Sequence, residues 1–171
     1  MNYKKLLLAV TAILLSVTFS ANAQQADTIK RYIKIPAGYL LVLRQGDDIN
    51  SQLESFAKAE NIPSANFTGM GFVNVTFGFF DSAKKKFNPR TFNDVELGSF
   101  TGSIAWQESK PSIHMHGIVA GDDFKAYGGH ILKGTVGTGS LEIMVTVHDK
   151  KLERVFEKEL GANVLHLDVQ K

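Results

Sequence analysis

From Ala65 onward the chain is a succession of β-branched and aromatic runs punctuated by single glycines. Only one stretch ahead of them carries a helical period. That contrast restricts the chain to a sheet-dominated fold. Strands are expected over residues 65–72, 73–80, 87–90, 95–106, 112–119, 124–132, 141–148 and 164–169, because these runs hold the β-branched and aromatic side chains that suit a pleated surface. Gly69, Gly71 and Gly78 fall inside such runs, where glycine marks a bulge or a close backbone approach. Two further strands are expected over 28–35 and 39–44, with Pro36-Ala37-Gly38 as the turn between them. Residues 49–60 read as the helix. Ile49, Leu53, Phe56 and Ala57 share one face, Asp47 or Asp48 can cap the start, and Asn61-Ile62-Pro63 ends it. Residues 151–159 have two readings, since their charges suit a helix while Leu152, Arg154, Phe156 and Lys158 alternate with strand period. The sum is a single α+β domain with a curved, mostly antiparallel sheet and one main helix.

The chain of 171 residues is of one-domain size and needs no disulfide to fold, and it has no Cys. Lys4 and Lys5 precede an apolar run over 6–19 and then Ala21-Asn22-Ala23. A positive start, an apolar middle and an A-x-A end describe a secretory signal. Residues 1–23 are therefore expected to be cleaved, leaving 24–171 as one exported domain, periplasmic or secreted, with no membrane span. Without Lys4 and Lys5 the chain holds 17 basic and 17 acidic residues. A neutral exported protein has no electrostatic case for nucleic acid. The one basic run, Lys84-Lys85-Lys86, follows Asp81-Ser82-Ala83 and reads as a solvated hairpin turn.

Chemistry concentrates in the histidines. In Ile113-His114-Met115-His116 the two imidazoles sit two residues apart on an expected strand, so both point to one face. His130 follows Gly128-Gly129 on the next strand, after a turn at Ala120-Gly121-Asp122-Asp123. Antiparallel neighbours lie about 5 Å apart, so His130 can reach the same pocket, and the two glycines would let the backbone bend it inward. Three imidazoles with an open fourth position suit Zn²⁺ or a similar divalent transition metal. His148 and His166 lack a partner pattern and read as structural. Other templates fail. There is no thiol, no G-x-S-x-G elbow, no phosphate loop, no dinucleotide fingerprint and no H-E-x-x-H. A cupin would need a Glu shortly after His116, where Gly117-Ile118-Val119-Ala120 stands.

Several segments, taken in order, resemble the PPC domain, the plants and prokaryotes conserved family. They are Leu43-Arg44-Gln45-Gly46-Asp47-Asp48, Asn66-Phe67-Thr68-Gly69-Met70-Gly71-Phe72, Phe77-Gly78-Phe79-Phe80-Asp81, the stretch from Asp94 to Ile104, Lys110-Pro111-Ser112-Ile113-His114-Met115-His116, and Ala126-Tyr127-Gly128-Gly129-His130-Ile131-Leu132-Lys133-Gly134. The resemblance implies an α+β fold and a homotrimer of sister subunits. It also implies a metal, usually zinc, near a subunit boundary on His114, His116 and His130. Plant members join the domain to a DNA-binding AT-hook. No Arg-Gly-Arg hook is present here, so DNA binding is not carried over.

Two functions are then in competition. One is a trimeric ligand-binding or scaffolding module, with a small molecule at the metal site. Phe79 and Phe80 point to opposite faces of a strand, so one of them is available to an intersubunit surface. The other is a zinc-dependent hydrolase or lyase. It needs a general acid or base near the metal, for which Glu96 and Asp123 are the candidates. Arg44 and Arg90 could hold an anionic ligand.

Overall fold

The computed structural model describes residues 29–167. The expected export signal over 1–23 lies outside them. In chain order the elements are β1 (Tyr32–Ile35), β2 (Gly38–Arg44), α1 (Ile49–Ala59), β3 (Ser64–Asp81), β4 (Lys86–Gln107), β5 (Lys110–Ala120), β6 (Ala126–His148), β7 (Glu153–Glu157) and β8 (Ala162–His166). The α+β reading holds: one helix stands against a sheet whose pairings are antiparallel except for a single parallel bridge between Trp106 and Glu153. No helix among the described residues is long and apolar enough to cross a membrane.

Three strands are far longer than the sequence pattern suggests. β3, β4 and β6 run for 18, 22 and 23 residues. The runs expected at 65–72 and 73–80 are one strand, as are those at 87–90 and 95–106, and those at 124–132 and 141–148. Glycine and polar residues between the runs do not end the strands. Register shifts at Gly69/Gly71 and Val73/Val75 in β3, and at Leu97/Ser99 in β4, absorb the irregularity. A bulge of this kind bends and twists a strand while pairing continues on either side.

Because the long strands bend, the sheet closes. The path runs β1-β2-β6-β3-β4-β7-β8, and β5 pairs with both β4 and β6. β3 also pairs with those two, so β3, β4, β5 and β6 form a continuous ring of ladders. Phe67, Leu97, Phe100, Val119, Ile131 and Ile143 are buried within the core, and the rings of Phe67 and Phe100 lie 5.1 Å apart. α1 buries Ile49, Leu53, Phe56 and Ala57, the face its period predicts. Asp48 is its N-cap, accepting the Ser51 N–H at 2.8 Å. Asp47 instead binds the Arg31 guanidinium at 2.7 Å.

Residues 151–159 resolve in favour of strand. The Trp106 N–H donates to the Leu152 carbonyl at 2.9 Å, which docks the chain on β4. β7 and β8 then form a hairpin. Edge pairing outweighs the charge pattern here. The basic run sits in the β3–β4 turn as expected, with Asp81 accepting from the Lys84 ammonium at 3.0 Å. Lys85 reaches across to the Lys158 carbonyl at 2.9 Å and so ties this turn to the β7–β8 hairpin.

Candidate metal-binding cleft

β5 carries the alternation that the sequence predicts. Met115 is buried in the core while His114 and His116 face outward. The ladders supply the rest of the geometry. His116 lies directly opposite His130 on β6 and opposite Thr101 on β4, and His114 lies opposite Ser103. Directly paired side chains share a face, with Cβ atoms about 5 Å apart. The three imidazole centroids are accordingly 5.1, 5.1 and 5.3 Å from one another. One ring nitrogen from each histidine lies within 4.8 Å of the other two. The closest approach is His114 Nε2 to His116 Nε2 at 3.2 Å.

That arrangement fits a zinc ion. Zn–N bonds of 2.0–2.1 Å in tetrahedral geometry put ligand nitrogens about 3.3 Å apart. The His114–His116 pair already meets that spacing, and the His130 nitrogen lies within 4.8 Å of both. Protonation favours ligation as well. Burial pushes the His130 pKa down to about 4, aided by the nearby His114 and His116. His114 is also lowered, first by burial and then by the Arg154 guanidinium and His116. Both are neutral at pH 7, the form that offers a lone pair to a metal. A bound ion of this type would act as a Lewis acid toward a ligand oxygen.

Neighbouring residues hold His130 in place. The Phe87 ring stacks on it at 4.8 Å with an interplanar angle of 13°. Gly78 lies opposite His130 in the β3–β6 ladder, and a Cβ there would come within 2.8 Å of Phe87 Cδ1. The Gly128-Gly129 pair works differently from the expectation of a bend. Neither residue takes a positive φ. Gly128 instead allows close approach, since a Cβ would meet the Gly117 carbonyl oxygen at 2.7 Å.

The triad opens onto a cleft of about 1220 Å³. Phe79, Phe80, Phe87, Ile118 and Phe156 form its apolar walls, and Ser99, Thr101 and Ser112 contribute hydroxyls. No Asp or Glu is among the described residues that line it. Glu96 is exposed on β4, paired with Phe72 and Ala120, and Asp123 is in the β5–β6 loop in an ion pair with Lys125 at 2.8 Å. Neither lines the cleft. Nor do Arg44, at the exposed end of β2, or Arg90, whose guanidinium sits 4.9 Å from the rings of both Phe92 and Tyr127. His148 meets the buried Ser64 hydroxyl at 3.1 Å, and His166 lies 3.7 Å from Glu157.

Sequence reasoning missed Arg154. It is on β7, lines the cleft, and is only 7% exposed. Its Nη2 donates to Ser103 Oγ at 2.8 Å, and burial lowers its pKa. A signal for part of this was present: Ser99, Thr101 and Ser103 alternate on β4, a row of small hydroxyls beside the histidine row.

A sheet closed on itself, with three histidines converging where β5 meets β6, defines a small α+β domain with a candidate metal centre. The model of the Plants and Prokaryotes Conserved (PCC) domain matches residues 31–149, and the chain belongs to that family. A crystal structure of a presumed DNA-binding protein from Ralstonia eutropha JMP134 is 53% identical, with a TM-score of 0.78 over 80% of this chain and 96% of that one. A plant- and prokaryote-conserved protein from Pyrococcus horikoshii is 26% identical, with a TM-score of 0.69 over 75% and 90% of the two chains. A metal-containing protein from Archaeoglobus fulgidus is 28% identical, with a TM-score of 0.68 over 80% and 98%. No curated protein matches the chain.

Proposed function

We propose that the chain is an exported zinc-binding module that works as a homotrimer. In this reading His114, His116 and His130 hold the ion, and the surrounding cleft receives a small ligand. The observation that carries it is the convergence of three imidazole nitrogens within 4.8 Å at the floor of an open, largely apolar cleft. The metal-containing relative from Archaeoglobus fulgidus supports it. A binding role is preferred over hydrolysis because the described residues that line the cleft offer no carboxylate as a general base. Exposed Phe79 (79%) and Phe124 (90%) support burial of apolar surface between subunits. The DNA-binding name of the relative from Ralstonia eutropha is not adopted, since the exported domain would carry equal numbers of acidic and basic residues.

The test is elemental analysis of protein purified without an affinity tag or chelator, beside a His114→Ala/His116→Ala variant. Near-stoichiometric zinc in the wild type and its loss in the variant are expected. A wild type that holds no zinc after loading and desalting would sink the metal reading. Light scattering should give the mass of three chains; the mass of one would remove the trimer.

A further inference from the structure

Among the described residues, Arg154 is a buried cation without a counter-charge. Among these residues its hydrogen bond goes to the neutral Ser103 hydroxyl, its Nε has no acceptor, and no carboxylate pairs with it. A guanidinium whose Nε is buried without an acceptor is costly unless an anion completes the site. Its position is fixed from two sides. β7 is docked on β4 through Trp106, and the hairpin turn beyond it is held by Lys85. Ser103, which orients the guanidinium, lies directly opposite His114. Arg154 and the triad therefore face the same space. Arg154 also lies beyond residue 149, where the family match ends, so it belongs to the part of the chain that the family model does not describe.

We propose that Arg154 anchors the carboxylate of a small organic acid bound in this cleft, with the acid's apolar body against Phe80, Phe87 and Phe156. The inference rests on the cleft being a ligand site, as in the function proposed above, and not on the ion being present. Three features select this ligand class. The described lining residues include no Asp or Glu to compete for the guanidinium. The planar fork of an arginine matches a planar carboxylate. The described lining residues include no Lys and no second Arg, and a phosphate monoester with nearly two charges would call for more cations than one guanidinium. The cleft of about 1220 Å³ is ample for an acid of this size.

Isothermal titration of benzoate, benzyl alcohol and phenyl phosphate tests the assignment, using zinc-loaded and metal-stripped wild type and zinc-loaded Arg154→Met. Benzoate should bind the wild type at least tenfold more tightly than either benzyl alcohol or the Arg154→Met variant. Zinc content of that variant should be unchanged. Equal benzoate affinity in wild type and variant, or no benzoate binding by the wild type, overturns the proposal. The second outcome includes the case in which a sister subunit already occupies the guanidinium. Tighter binding of phenyl phosphate overturns the choice of carboxylate. If the wild type holds no zinc but the metal-stripped protein still binds benzoate through Arg154, the metal reading falls and this one stands. Should near-ultraviolet circular dichroism show that Arg154→Met is misfolded, Arg154→Lys decides, because it keeps the charge and loses the fork. Weakened benzoate binding with intact fold supports the proposal, and undiminished binding overturns it.

Discussion

Glu60 accepts hydrogen bonds from two phenols, Tyr39 at 2.8 Å and Tyr32 at 2.9 Å, and so ties the end of α1 to the β1–β2 hairpin. These bonds, that from Tyr39 first, hold the Glu60 carboxyl below its ordinary value of 4.5. A depressed folded-state pKa means that the unfolded chain binds protons more readily. The contribution is complete above about pH 4.5 and is lost as the pH falls through the folded value. The urea midpoint of the wild type should therefore drop more steeply between pH 6 and pH 3 than that of Glu60→Gln. Parallel pH dependence in the two proteins would show that the clamp does not stabilise the fold. At this scale the histidine triad was legible because its logic is local: period two on one strand, then a neighbour across a turn. Arg154 was not, because its partner Ser103 is 51 residues away. A buried cation is recognised only when the strand that buries it has been placed.

At the scale of elements, α1 was the clearest reading, since a cap, an apolar face and a terminating Pro63 all agreed. The cap can be tested separately from the cleft. Asp48→Ala removes the acceptor for the Ser51 N–H and should reduce unfolding stability by about 1 kcal/mol. Zinc content should not change, because no α1 residue lines the cleft. An unchanged denaturation midpoint would mean that the helix start is held by packing alone. The strands were legible as strands but not in their extent. Gly69 reads as a bulge and sits at one, with pairing continuing on either side, whereas the glycines and polar residues between 132 and 141 look like a break that β6 runs straight through. Whether a glycine ends a strand or bends it depends on partners such as Glu142 and Ile143, far along the chain. The same dependence decided residues 151–159, where docking on Trp106 turned an ambiguous pattern into β7.

For the whole molecule, the place where the ring closes is also the place where the histidines meet. β5 and β6 share a short ladder, from Ala120 opposite Ala126 to His116 opposite His130. A zinc ion on His114, His116 and His130 would cross-link the two strands at the last of those pairs. Ligand binding to the folded state alone stabilises it by about 2.7 kcal/mol when free ligand is a hundredfold above Kd. For a domain of this size that corresponds to roughly 5–11 °C in melting temperature. The metal-stripped protein should gain a shift of this order on adding zinc. His114→Ala/His116→Ala should gain none, while Arg154→Met should keep it, since its guanidinium is no ligand to the ion. Hydrogen exchange should slow most at the amides of β5 and β6 around Gly117 and Gly129, which face each other next to the histidine pair. Protection spread evenly over the sheet would indicate that zinc acts through global stability rather than at the seam. A shift retained in the double-histidine variant would locate the ion elsewhere and remove the basis for reading this cleft as a metal centre.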